Sequence, residues 1–362
     1  MRLCAVVAAL GALLGSGCKN LLGIESGVVA DGNAGDGPDD SGIPFDAPID
    51  MPIDARTCFG TFQQICLTQP VPDTFHVTTA TPITTCTETQ TVGGVDICIR
   101  SAKHIVVNAG ASINTLSAAF VVLVATEDIV LNGTLDLWNS GSTTCATPQG
   151  GFAGGGPGGS FGGLGGVGTG VIVNTQPTPV PTTITTFRRG CAGSKGGSDA
   201  QGGDGGAGGS GIFLVSPSIH LTSTARINAS GNGGAGGTND RGGGGGGSGG
   251  FVLFDSETLQ IDAGAIVLAV GGGGGGGGAA GTAMSGTRAT TIDGAMPGQG
   301  GRGNAAASGD GGDGGLQGAG MPGGLASNNR GSGGGGGGTG VIFATALNPA
   351  NNGTVAPTLR AP

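Results

Sequence analysis

The chain has 362 residues, 86 of them glycine, with no tyrosine, one tryptophan, 10% charged residues and a formal net charge of −9. Glycine at this level without a sustained Gly-X-Y period excludes collagen, and apolar β-branched blocks between the glycine tracts argue against simple disorder. The acidic balance and the lack of a basic patch argue against a nucleic-acid partner.

Arg2 opens a short basic start, followed by an apolar run of 12 residues, 3–14. That run is too short to cross the ~30 Å hydrocarbon core as a helix, so it reads as an export signal. It ends in Leu14-Gly15-Ser16-Gly17-Cys18, which resembles the lipobox of bacterial lipoproteins, with Leu14 one position earlier than the usual leucine. The resemblance implies that residues 1–18 hold the signal and that Cys18 carries acyl chains. Several such chains, at about 0.8 kcal/mol per buried CH₂, would anchor the protein to a membrane. Lys19 follows the cysteine where an inner-membrane protein of that class has Asp. The resemblance therefore implies the outer membrane and cell surface, with secretion after ordinary cleavage as the alternative.

Residues 19–56 contain Pro38, Pro44, Pro48 and Pro52, and eight acids against Lys19 and Arg56. Such a segment cannot bury a core and reads as a disordered acidic tether with an r.m.s. span of roughly 35 Å. Residues 57–100 are rich in threonine and hold Cys58, Cys66, Cys86 and Cys98. A solenoid must hide its open end, so this segment reads as a disulfide-stapled N-terminal cap.

From residue 101 onward a repeat lies beneath the glycine. Residues 105–113, 129–137, 219–227 and 259–267 superimpose without gaps, each reading apolar-x-apolar, a short turn, then apolar-x-apolar. Alternation of period two marks a strand with one buried face, and Asn, Gly, Thr and Asp in the middle are turn formers. A third strand precedes most copies, as Val121-Val122-Leu123, Ile212-Phe213-Leu214 and Phe251-Val252-Leu253, with similar triplets at Val171-Ile172-Val173 and Val341-Ile342-Phe343. Ile105 and Ile129 lie 24 residues apart, room for three strands and three corners, one turn of a parallel β-helix. About six such turns stack into a rod ~30 Å long.

The glycine tracts, about 141–170, 188–211, 231–250 and 271–340, all leave from the same corner of the coil. They should emerge side by side, approach closely for want of Cβ atoms, and bond laterally as extended threefold helices. The longest, which holds Met284, Met296 and Met321, is expected to be partly loose. The tail, 349–362, is polar with scattered prolines and could close the far end. The fold expected is all-β: a right-handed parallel β-helix, or solenoid, over 101–362, with glycine-rich extended insertions packed on one side.

After Cys18 six cysteines remain, and an even number in an exported chain favours disulfides. Fifteen pairings are open to six cysteines; proximity favours Cys58–Cys66, Cys86–Cys98 and Cys145–Cys191. Long spacings, the absence of Cys-x-x-Cys and a total of three histidines argue against a zinc site.

The chain also resembles a family of glycine-rich surface lipoproteins of myxobacteria and their relatives. The resemblance rests on Thr57-Cys58-Phe59-Gly60, Asp96-Ile97-Cys98-Ile99, Val122-Leu123-Val124-Ala125 and Ile227-Asn228-Ala229-Ser230-Gly231. It covers most of the mature chain and implies surface location, with no established reaction.

Motifs for chemistry are sparse. GxGxxG recurs, as between Gly202 and Gly211, but glycine tracts produce it by chance, and neither a GK[ST] loop nor a strand–glycine–helix context accompanies it. No nucleotide and no other cofactor is therefore expected. Asp199, Asp204, Asp310 and Asp313 lie in glycine runs without the sustained period of calcium-binding nonapeptides, and read as solubilising. β-helix polysaccharide enzymes need grouped carboxylates. Asp136 and Asp262 point outward but in different columns, Asp262 aligning with Asn132 and Arg226 falling in the column of Asp136. Trp138 points outward and reads as packing against the glycine layer, or else as a sugar platform. His76, His104 and His220 are far apart and read as surface residues, so no Ser-His-Asp set is proposed.

No catalytic residue is expected. The reading is a non-catalytic surface lipoprotein, structural or adhesive, that meets a membrane through its lipid and, as an adhesin, a surface glycan or protein. The alternatives are a carbohydrate-active β-helix and an ice-binding protein, the latter suggested by the Thr-rich stretch and flat glycine faces.

Overall fold

The computed structural model describes residues 57–79, 81–82, 86–114, 120–137, 145, 150–170, 187–290 and 296–362. The signal and Cys18, the tether, Trp138 and the triplet at 171–173 lie outside them. The described residues are all-β and contain no helix, hence none long and apolar enough to cross a membrane.

Strands β1 (Thr57–Phe59) and β2 (Ile65–Leu67) form an antiparallel hairpin that sets Cys58 opposite Cys66. Next come β3 (Thr74–Val77), β4 (Thr81–Pro82) and β5 (Glu88–Val92), the last folding back antiparallel on β6 (Val95–Val107). Then follow β7 (Ser112–Asn114), β8 (Phe120–Leu131) and β9 (Thr134–Asp136). After the first glycine tracts come β10 (Gly211–Val215), β11 (Ser218–Leu221) and β12 (Arg226–Asn228), then β13 (Phe251–Asp255), β14 (Thr258–Ile261) and β15 (Ile266–Leu268). The last are β16 (Val341–Ala344), β17 (Ala350–Asn351) and β18 (Thr354–Ala356).

These strands align in three parallel ladders. In the first, Cys98, Val121, Ile212, Val252 and Ile342 stand side by side on β6, β8, β10, β13 and β16. In the second, Phe75, Ile105, Ile129, Ile219 and Leu259 do so on β3, β6, β8, β11 and β14. In the third, Ile113, Leu135, Ile227, Val267 and Val355 do so on β7, β9, β12, β15 and β18. The side chains of all three rows meet in one buried cluster. A fully buried Ile or Leu there contributes roughly 1.5–3 kcal/mol.

Three details differ from the sequence pattern. The ladders start before residue 101: β3 and β4 already pair with β6 and β7, and β6 runs straight through residue 100. The gapless superposition fails in the second copy. Leu135, not Leu137, lies opposite Ile113 and Ile227, so that corner is two residues shorter than its neighbours. Gly133 makes the short corner possible, because a Cβ there would strike the carbonyls of Asn108 and Ala111. The first ladder is buried on both faces. Its outward row, including Ile99, Val122, Phe213, Leu253 and Phe343, packs with Phe161 and Phe187 from the glycine-rich insertions and with Ile65 and Leu67 of β2. A strand covered on both faces reads as a continuous apolar run, which is what Phe120 to Val124 shows.

The glycine tracts bond to one another through their backbones. Within 242–250, Gly243, Gly246 and Gly249 donate to Ser332, Gly335 and Gly338; Gly244, Gly247 and Gly250 donate to Ala235, Asn232 and Ala229; Gly245 and Ser248 donate to Ser194 and Cys191. The same tract accepts from Gly156 and Gly159, from Gly203, Gly206 and Gly209, and from Gly272 and Gly275. Every third residue points at the same neighbour, the signature of a threefold extended helix. Six neighbouring tracts surround this one, at N···O distances of 2.7–3.0 Å. The long insertion, expected to be partly loose, is bonded in its described residues too: Gly271, Gly274 and Gly277 donate to Gly315, Gly312 and Gly309.

Candidate functional site

The outward face of the second ladder gathers the histidines that the sequence scatters. By register, His76 shares a row with Val106, Val130, His220 and Gln260, while His104 stands beside Thr74 and Asp128. The pairing of β6 with β8 slips between Ala102 and His104, leaving one extra residue in β8. This bulge lets two consecutive acids reach one ring: His104 Nδ1 lies 2.8 Å from Asp128 and Nε2 3.2 Å from Glu127. The hydrogen bond with Asp128, ahead of the Coulomb attraction of the two acids, holds the His104 pKa above its ordinary value. His220 meets Asp262 at 2.9 Å, and Gln260 donates to the other Asp262 oxygen at 2.7 Å. These two bonds, that from Gln260 first, keep the Asp262 carboxyl below the usual carboxylate range. Among the described residues no group of three or more His, Cys, Asp or Glu is arranged to hold a metal ion.

A cavity of about 480 Å³ lies between the β1–β2 hairpin, residues 216–217 and the segment after β16, with Asp255 and Glu257 in its wall. Asp255 is 4% exposed. Its carboxylate accepts from Thr61 N and Thr61 Oγ1 at 2.5 and 2.6 Å, from Phe62 N at 2.9 Å and from Thr345 Oγ1 at 2.9 Å. A buried carboxylate needs such partners, and Asp255 spends both oxygens clamping the hairpin onto the first ladder. Sequence reasoning passed it over; the signal was an acid closing the otherwise apolar strand Phe251–Asp255.

Among the described residues three disulfides are present: Cys58–Cys66, Cys86–Cys98 and Cys145–Cys191. The third reaches into the glycine network, where Cys191 O accepts from Ser248 N.

The acids of the glycine runs have structural partners. Asp199 takes Arg241 at 2.7 Å and Asp204 takes Lys195 at 3.3 Å. Asp310 and Asp313 accept the backbone N–H groups of Gly303 and Gly300, at 2.8 and 2.7 Å. Two carboxylates three residues apart thus serve two amides three residues apart, in step with the threefold period. Asp136 and Asp262 are not brought together. Asp136 pairs with Arg288 of the long insertion at 2.7 Å. Burial pulls the Arg288 pKa below its ordinary value. Arg226 does not share the column of Asp136; it stands opposite Thr134, because of the short second corner, and donates to the carbonyls of Ser223, Ala225 and Gly264. Comparison of the chain with known family models, curated proteins and solved structures finds no match.

Proposed function

We propose that this is an exported, lipid-anchored protein of the bacterial outer surface with a structural or adhesive role and no catalytic centre. In this reading the three ladders are the faces of a right-handed parallel β-helix, and the glycine tracts form a slab along one of its sides. The chain visits the ladders in a constant order, and crossovers between parallel strands are right-handed in nearly all folds, which supports that winding. The observation that carries the functional reading is the six-fold lateral bonding of tract 242–250. It makes a stiff block of backbone with few side chains for chemistry, suited to holding a surface at a distance from the cell. The lipobox-like stretch ending at Cys18, the acidic residues 19–56 and the resemblance to myxobacterial surface lipoproteins support the anchored address.

Mass measurement of the intact protein recovered from membranes tests the anchor. The expected mass is that of a chain starting at an acylated Cys18 with three disulfides; an unacylated chain overturns the anchor. Incubation with uronate polymers and neutral glycans tests the absence of catalysis, and turnover of any of them overturns it.

A further inference from the structure

We infer that the turns at the far ends of the glycine tracts form a binding site for a neutral hexose polysaccharide. The inference rests on the adhesive form of the function proposed above and gives it a ligand class. Residues 229–235 and 242–250 run antiparallel and are joined by the turn 238–241, farthest along the chain from β12 and β13. Gly278 N donates to Arg241 O and Gly331 N donates to Gly278 O, which brings the turn 327–330 to the same end. Gly197 N donates to Gly154 O, which adds Phe152 and Asp199.

Four non-glycine residues of the described chain have positive φ, and all lie in two of these turns: Asn239 (49°), Asp240 (65°), Asn328 (56°) and Asn329 (58°). Glycine takes this conformation at the lowest steric cost, and this chain uses glycine freely. Asn and Asp tolerate it, and here they keep polar side chains on show. Asn239, Asn328 and Asn329 are exposed and make no side-chain hydrogen bond within the described residues.

Beside them Phe152 is 58% exposed, with the Arg241 guanidinium 3.5 Å from its ring centroid. Arg241 is fixed by Asp199 at 2.7 Å, and Arg330 by Asp240 at 2.6 Å. Both cations are thus matched by acids. A polyanion would want unpaired arginines and a polycation unpaired carboxylates. A neutral sugar wants what is present: the exposed side of the Phe152 ring away from Arg241 for its C–H face, and the amides of Asn239, Asn328 and Asn329 for its hydroxyls. The bonded tracts behind hold these groups in place before any ligand arrives, which lowers the entropic cost of binding.

The test is titration of the full-length protein, kept soluble in a detergent without a sugar headgroup, with dextran, mannan, a β-glucan and polygalacturonate. Saturable binding of at least one neutral polymer is expected, with polygalacturonate weaker. Phe152→Ala should weaken binding about tenfold. The double variant Asn328→Gly, Asn329→Gly suits the local backbone, so it should melt with the parent protein and still weaken binding about threefold. No binding to any neutral polymer, a preference for polygalacturonate, or binding indifferent to the glycine pair overturns the inference. If the polymers fail while the protein is recovered acylated, the surface role stands without this site. If acylation is missing, the anchor falls and the binding result is unaffected.

Discussion

At Gly246 the backbone runs so close to the carbonyl of Gly272 that a Cβ would fall well inside contact distance. Gly246→Ala should therefore cost about 1–3 kcal/mol in a urea melt, since a rigid backbone atom must move. A Cβ added at Gly318 would meet nothing within 4 Å, and Gly318→Ala should stay within about 0.5 kcal/mol of the parent protein. Equal effects at the two sites would contradict the close packing. His104 makes a second residue-scale prediction. Its pKa is raised in the folded protein, chiefly by the Asp128 hydrogen bond. The stability it contributes is fully present below its unfolded value of about 6.5 and is lost as pH rises through the folded value. An NMR titration should place His104 above that reference, and Asp128→Asn should bring it down; an unchanged midpoint would remove the pair from consideration.

The elements were legible to different degrees. Alternating triads exposed the second ladder because it has one buried and one solvated face, so burial writes a period of two into the sequence; in the third ladder the outer side is covered at β15, where Ile266 and Leu268 pack with Val270, Ala289 and Ala356. The shortened corner at Asn132-Gly133 was hidden, since Leu135 and Leu137 are both leucine and either register satisfies the pattern. The two-sided burial of the first ladder was readable in the unbroken apolar run from Phe120 to Val124, but its partners Phe161 and Phe187 lie in or beside glycine tracts. Within the tracts themselves, a run of glycine carries no side-chain period to say which neighbour each amide faces. Asp310 and Asp313 were the exception: their spacing of three is the helical repeat made visible. If they serve the amides of Gly303 and Gly300, Asp310→Ala and Asp313→Ala should each speed hydrogen exchange at the amide served by about fivefold. Gly301, which donates to Gly274 O instead, should be unaffected; parallel acceleration at Gly301 would mean general loosening.

For the molecule as a whole, the candidate binding surface was the least legible part. Phe152, Asp199, Arg241 and Arg330 are far apart in the chain and meet because the laterally bonded glycine tracts carry them to one end. The same tracts also set how the protein responds to temperature. The heat-capacity change of unfolding comes from newly hydrated apolar surface, offset by newly hydrated peptide groups. The glycine layer releases mainly the latter. Scanning calorimetry should accordingly give an increment per residue below the ordinary ~12–15 cal/mol/K, and hence a shallow curve of stability against temperature. A protein built this way loses little of its margin on cooling, because so much of what holds it together is amide bonded to amide rather than oil hidden from water.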